Sequence, residues 1–208
     1  MDVILDGASN YDFRGEPDNV LSAVGAVSEY LRQAGRSILS IKVDGSEIAP
    51  QDLSARLKGA PASSVGRLEI GSELTTTLVE DCLKGLGENL PELPAICRSL
   101  AAVFQGETPE EGFDPFIQLA EVWSHIKSRE ALVTNALDLD TETLTINGKS
   151  IVAIHGELNQ FLEEAAQALK DGDIILLGDL LEYELAPRAE LELEIVALLQ
   201  AQIPASSG

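Results

Sequence analysis

Apolar residues recur along most of the chain at the three- and four-residue spacing of an amphipathic helix. The first series has spacings of 4, 3 and 4 and consists of Val20, Val24, Val27 and Leu31. It predicts a helix that buries one face and ends at Gly35. Stretches 1–6, 37–43 and 67–70 are apolar or β-branched and end near turn residues, which is typical of strands. Residues 1–71 are therefore predicted to form a small β-α-β-type unit, with its first two strands in a parallel pair.

From residue 72 onward the helical spacing dominates. The predicted core faces are Leu74, Leu78, Cys82 and Leu86; Leu93, Ile96, Leu100 and Val103; Phe116, Leu119, Trp123 and Ile126; and Leu158, Phe161, Ala165 and Leu169. A short β element is expected near 143–151, around Asn147-Gly148. The predicted fold class is therefore α+β: a small α/β unit at 1–71, then an acidic helical region at 72–208.

Two segments of the chain resemble each other. Residues 41–48 read IKVDGSEI and residues 144–151 read LTINGKSI. Each has a short strand-like segment, then an Asx-Gly turn, two further residues and a final isoleucine. A true internal repeat and a coincidence of common turn chemistry both remain open.

The closing stretch, 173–199, holds the densest aliphatic run together with the densest carboxylate run. Asp173 is a plausible N-cap, and a kink or restart is expected at Pro187 because proline lacks a backbone donor. The predicted inward residues are Ile174, Leu177, Leu181, Leu191, Ile195 and Leu198. We therefore interpret this stretch as the central or closing helix of a bundle.

Charge is unevenly distributed over the 208 residues, whose formal net charge is −21. Residues 71–208 contain 7 basic and 25 acidic side chains, a balance of −18. Such a field repels nucleic acid and anionic membrane, since binding them requires clustered lysine and arginine. Apolar stretches are too short for a membrane helix, and acidic residues stand where a signal peptide would be basic. We expect a cytoplasmic protein with Cys82 and Cys97 as small buried apolar groups.

Motifs for catalysis are absent from the sequence. It has no Gly-x-Ser-x-Gly elbow and no glycine-rich phosphate loop, and no motif points to a known family. Glu121 and His125 lie one helical turn apart, which favours a solvated pair, and His155 is interpreted as structural or incidental. We therefore expect no cofactor and no metal, and a non-enzymatic protein rather than an enzyme.

Acidic residues of the closing helix are the most distinctive feature left. They are predicted to form a protein-interaction face made of Asp179, Glu182, Tyr183, Glu190, Glu192 and Glu194. The first hypothesis is an interaction or scaffold protein, of unknown pathway, that binds a basic partner there. A face that merely keeps the bundle soluble is the simpler interpretation.

The alternative function is an enzyme that binds a small molecule or metal through interior carboxylates, such as Asp179 and Glu182 with His125. A homodimer is also expected, because a thin sheet needs covering. The loop Gly7–Asn19 is a further candidate, since it mixes aromatic and polar residues.

Overall fold

The computed structural model describes residues 1–9, 17–49 and 52–204. It shows an α+β protein with a small N-terminal sheet followed by a mostly helical body. The chain divides into two compact units, Met1–Leu78 and Val79–Gly208. The sequence placed the boundary near Gly71, but the last sheet strand continues to Leu74. The central residues of the loop at 7–19 lie outside the described part of the chain.

The N-terminal unit is a five-stranded sheet with strand order β2-β1-β5-β3-β4. Its elements are β1 (Asp2–Leu5), β2 (Ala8–Ser9), α1 (Val20–Gln33), β3 (Arg36–Val43), β4 (Ser46–Glu47), α2 (Leu53–Leu57) and β5 (Arg67–Leu74). The predicted parallel pairing of β1 with β3 is wrong: β1 pairs in parallel with β5, and β5 pairs antiparallel with β3. The chain reverses in the β1–β2 hairpin before it enters α1, so β3 returns antiparallel to β1.

One face of this sheet packs against helix α1, and the other forms a cleft of mixed polarity. Helix α1 buries the predicted series and is capped by Asn19, whose Oδ1 accepts a hydrogen bond from the Ser22 N–H at 2.9 Å. It packs with Leu68 and Ile70 in one core. The opposite face forms a cleft of about 340 Å³ whose lining includes Ser40, Lys42, Arg67 and Glu69. This face therefore combines hydrogen-bonding groups with apolar ones, since Ile4 also lines the cleft.

The end of β1 is tied to β5 through Asp6. Its carboxylate accepts hydrogen bonds from the Ser72 N–H at 2.6 Å and from the Ser72 hydroxyl at 2.7 Å. The Arg36 guanidinium donates to Ser72 Oγ and to the Ser72 carbonyl, both at 2.8 Å. The hydrogen bonds from Ser72 hold the pKa of Asp6 below its usual value, with a smaller contribution from Arg36.

The two similar segments both form hairpins with the same register. Lys42 pairs with Glu47 in the first, and Thr145 pairs with Ser150 in the second. In both, the final isoleucine N–H donates to the carbonyl of the first residue at 3.0 Å. The elements that follow differ, because the first hairpin leads to a loop and the second leads directly to a long helix.

The helical unit contains five larger helices and a short hairpin. The elements are α3 (Thr75–Asn89), α4 (Leu93–Phe104), α5 (Phe113–Ala136), β6 (Thr145–Ile146), β7 (Lys149–Ser150), α6 (Ile151–Asp171), α7 (Ile174–Asp179), a π-helical turn (Leu180–Leu185) and α8 (Ala186–Gln200). We call the continuous stretch from α7 through α8 the closing helix; helix α4 packs along all three of its parts. No helix in the described ranges is long and apolar enough to cross a membrane.

Core faces were predicted with mixed success. All four residues predicted for α5, from Phe116 to Ile126, are buried. The face predicted for α3 is only partly correct: Leu86 is buried and Cys82 packs against the core, but Leu74 is exposed, and Val79 and Leu83 are buried instead. Residues 72–74 belong to β5 and so do not continue the helical spacing.

Candidate functional site

The closing helix forms as its sequence predicts, with one addition. Asp173 caps it, since its Oδ1 accepts a hydrogen bond from the Leu176 N–H at 3.0 Å. Pro187 lies in the first turn of α8, directly after the π-helical turn. Proline has no N–H to donate to the preceding turn of an α-helix. The wider π-helical turn before Pro187 reduces the number of hydrogen bonds that this would otherwise leave unmade.

Arg188 connects the π-helical turn and the start of α8 to helix α6. Its Nη1 donates to the Glu184 carbonyl at 2.9 Å and to the Glu184 carboxylate at 2.8 Å, while its guanidinium lies 4.0 Å from the ring centroid of Phe161. A weaker contact of 3.4 Å reaches Glu157 on α6. Helix α6 and the start of α8 are therefore held together by one half-buried arginine.

The outer face of the closing helix carries most of the residues predicted for protein interaction. Asp179, Tyr183, Glu190 and Glu194 are exposed, and Glu182 is half-buried. Ile175 and the four exposed residues recur at spacings of four and seven residues and so share one side of the helix, which we call the outer stripe. Tyr183 is 64% exposed and Ile175 is 71% exposed. Glu190 forms an ion pair of 2.5 Å with Arg98 of α4.

Glu192 does not lie on this stripe. It is 1% exposed and points into the helical unit, between the buried residues Ala189 and Ile195. The prediction that Glu192 belongs to the protein-interaction face is therefore wrong, because a partner bound on the outer stripe would not contact this buried side chain.

Three helices bring titratable side chains together at the inner face. Glu192 of α8 meets Glu130 of α5, which is 2% exposed, and His155 in the second turn of α6. We call these three residues the Glu-His-Glu cluster. His155 Nε2 lies 3.0 Å from Glu130 Oε2 and 3.9 Å from Glu192 Oε2. One potential metal-ligand atom from each residue lies within 4.8 Å of the other two.

Burial and the contacts among the three side chains together shift the pKa values in this cluster. Burial raises the pKa of Glu130 to about 8, with a further contribution from the nearby Glu192 carboxylate. Burial also works to lower the pKa of His155, but the two carboxylates outweigh it and raise the pKa to about 9. At neutral pH one imidazolium therefore faces two acidic groups in the interior.

The hydrogen bonding of the cluster is incomplete. Among the described residues, neither His155 Nε2 nor any of the four carboxylate oxygens of Glu130 and Glu192 has a hydrogen-bond partner. A cavity of about 150 Å³ adjoins Glu130 and His155, and Lys127, Thr134 and Thr141 contribute to its lining. Glu130 and His155 therefore border this cavity, whereas Glu192 lies behind them and does not contribute to its lining.

The other candidates do not assemble into a site. Glu121 and His125 are exposed, and His125 lines an apolar groove rather than joining Asp179 and Glu182. Within the described ranges, the Glu-His-Glu cluster is the one set of three such side chains close enough to share an ion. Cys97 is buried and burial raises the pKa of its thiol to about 12, so it is not a reactive thiol at neutral pH.

Sequence analysis missed the cluster, although α5 contained a signal for it. The buried series Phe116, Leu119, Trp123, Ile126 continues at the same spacing to Glu130 and Val133. A glutamate on a core face needs a compensating partner, because a lone buried charge is strongly unfavourable. That argument would have led to a search for the partner.

The fold and these sites define an α+β protein with an acidic helical domain. Residues 81–191 match a family described as a domain of unknown function, DUF8042, and since the match covers more than half of the chain, the protein belongs to that family. Glu130 and His155 lie within the matched segment, and Glu192 lies one residue beyond it. No curated protein and no solved structure matches the chain.

Proposed function

We propose that the helical unit is a non-enzymatic protein-interaction module that binds a basic, amphipathic segment of another protein along the outer stripe. One observation carries the proposal: exposed carboxylates and two large exposed apolar side chains share a single helix face. Tyr183 and Ile175 supply apolar anchors, and Asp179, Glu190 and Glu194 supply the charge. Interfaces use buried aromatic anchors for affinity and complementary charge for partner choice.

A face that only maintained solubility would not need the apolar residues. Ile175 is more exposed than any other large apolar side chain in the described residues. Residues 71–208 carry the −18 balance, so the surrounding field also favours a basic partner.

The test compares two charge reversals of equal size. Glu190→Lys/Glu194→Lys changes the outer stripe, and Glu163→Lys/Glu164→Lys changes exposed positions on α6. Glu192 is left out of the reversal, because a lysine at its buried position would disrupt folding. Proteins captured from a lysate of the source cells are identified by mass spectrometry for each form.

The expected result is a protein with a basic segment that binds the wild type and the α6 variant but not the stripe variant. A synthetic peptide of that segment should show the same order of affinities by fluorescence anisotropy. Equal loss of binding in both variants would show that only net charge matters and would refute a defined site. Unchanged binding to the stripe variant would also refute it.

A homodimer remains part of the proposal, but its interface is not the outer stripe. Two copies joined there would bring like charges together. The cleft on the N-terminal sheet, which mixes polar residues with Ile4, is the surface that we propose instead. Light scattering after size-exclusion chromatography at micromolar concentration decides between one and two chains, and a monomer mass removes the dimer.

A further inference from the structure

The Glu-His-Glu cluster presents buried polar atoms that have no hydrogen-bond partner, although His155 Nε2 and Glu130 Oε2 lie at the ion-pair distance of 3.0 Å. Native proteins leave few such atoms, because each unsatisfied group loses its hydration without compensation. Here five of them converge on one point from three helices, and both carboxylates are more than nine-tenths buried. A common partner located between the three side chains would satisfy them together.

We propose that Glu130, His155 and Glu192 bind a divalent transition-metal ion of the Zn²⁺ or Mn²⁺ type. One imidazole nitrogen and two carboxylates suit these ions, whereas Mg²⁺ and Ca²⁺ prefer oxygen ligands alone. This site is independent of the outer stripe, although Glu192 belongs to the same helix.

The distances are compatible with one shared ion. Two ligand atoms that each lie about 2.1 Å from Zn²⁺ at tetrahedral angles are roughly 3.4 Å apart. The Nε2–Oε2 distances of 3.0 and 3.9 Å bracket that separation. The widest separation in the cluster, at most 4.8 Å, closes by rotation about the glutamate side-chain bonds.

Charge balance supports the same assignment. A divalent cation with two carboxylates and a neutral imidazole is electrically neutral, which suits a site in the protein interior. The cationic side chain of Lys127 lines the adjoining cavity and donates to the Asn159 side chain. Within the described residues it does not pair with either glutamate of the cluster.

The site adjoins a cavity and would have an open coordination position. His155 is 22% exposed at its side chain, and the cavity of about 150 Å³ leads to it and to Glu130. Three protein ligands leave at least one position for water or a small ligand, as in metal sites that act on bound molecules, whereas structural zinc sites are closed by four. The cavity lies where that ligand would bind.

The experiment uses the full-length chain after treatment with EDTA. Isothermal titration with ZnCl₂, MnCl₂, MgCl₂ and CaCl₂ measures affinity and stoichiometry, and Co²⁺ absorption in the visible range reports coordination. The test variants are Glu130→Gln and Glu192→Gln. The matched control is Glu121→Gln/His125→Asn, which removes the exposed glutamate and histidine one turn apart on α5.

We expect one Zn²⁺ or Mn²⁺ per chain and no comparable binding of Mg²⁺ or Ca²⁺. Each test variant should weaken binding by about 100-fold or more, since losing even a supporting outer partner weakens metal sites 10- to 100-fold, and the control should bind as the wild type does. Far-UV circular dichroism verifies folding; if Glu192→Gln does not fold, Glu130→Gln beside the cavity gives the same test. The assignment fails if neither Zn²⁺ nor Mn²⁺ binds, or if both test variants bind as tightly as the control.

Discussion

Arg188 offers a quantitative test of how the closing helix is held. The substitution Arg188→Met keeps an apolar stem and removes the guanidinium, with its two bonds to Glu184 and its contact with Phe161. A net hydrogen bond contributes about 1 kcal/mol, more when one partner is charged, and a cation–π contact about 0.5–2 kcal/mol. The Glu184 carboxylate is partly exposed, so its ion pair contributes less than a buried one.

We therefore expect Arg188→Met to reduce the free energy of unfolding by about 2–4 kcal/mol. Arg98→Met is the matched control, because Arg98 forms a single ion pair with Glu190 and both side chains are at least half exposed. Such a pair contributes about 0–1 kcal/mol.

Urea unfolding followed by tryptophan fluorescence is the appropriate assay. Trp123 is the single tryptophan of the chain and is fully buried in α5, so its signal reports on the helical unit. If Arg188→Met lowers stability no more than Arg98→Met does, the junction is not held by this side chain.

Three further predictions concern the fold. Gly112→Ala should reduce the stability of the helical unit by about 1–3 kcal/mol, since its new methyl carbon would lie 2.7 Å from a buried phenylalanine ring. Gly156→Ala, which lies in open space on α6, should instead raise that stability by up to about 1 kcal/mol. Urea unfolding measures both changes. Because folding lowers the pKa of Asp6, the ionised carboxylate stabilises the folded state fully above the pKa of the unfolded chain. That stabilisation is lost as the pH falls through the pKa of the folded state. Asp6→Asn should remove this acid dependence from the thermal unfolding of the N-terminal unit, followed by circular dichroism. Thiol labelling at pH 8 should modify half-buried Cys82 before buried Cys97, and equal rates would contradict the assigned burial.

Local sequence patterns determined much of the fold. Helix α1, the buried face of α5 and the hairpins at Asp44-Gly45 and Asn147-Gly148 follow from apolar spacing and turn chemistry. Strand order did not follow, because the pairing of β1 with β5 joins segments some 65 residues apart, and no local pattern encodes such a partner.

The inner cluster was missed for a different reason. Hydropathy assigns charged residues to the surface, where most of them lie, so Glu192 was placed on the same face as its exposed neighbours Glu190 and Glu194. Only the continuation of the α5 core face to Glu130 indicated an interior acid. His155 gave no separate signal, because its position next to a core face is common for a histidine.

The π-helical turn at Leu180–Leu185 has a consequence for how relatives of this protein should be aligned. A π turn accommodates one more residue than an α turn while the helix continues on both sides of it. A family member that is one residue shorter here can therefore form a regular helix and keep the residue equivalent to Glu192 facing inward. An alignment of relatives should allow a single-residue gap at this turn, because an ungapped comparison would match Glu192 with an outward-facing neighbour and hide the proposed metal ligand.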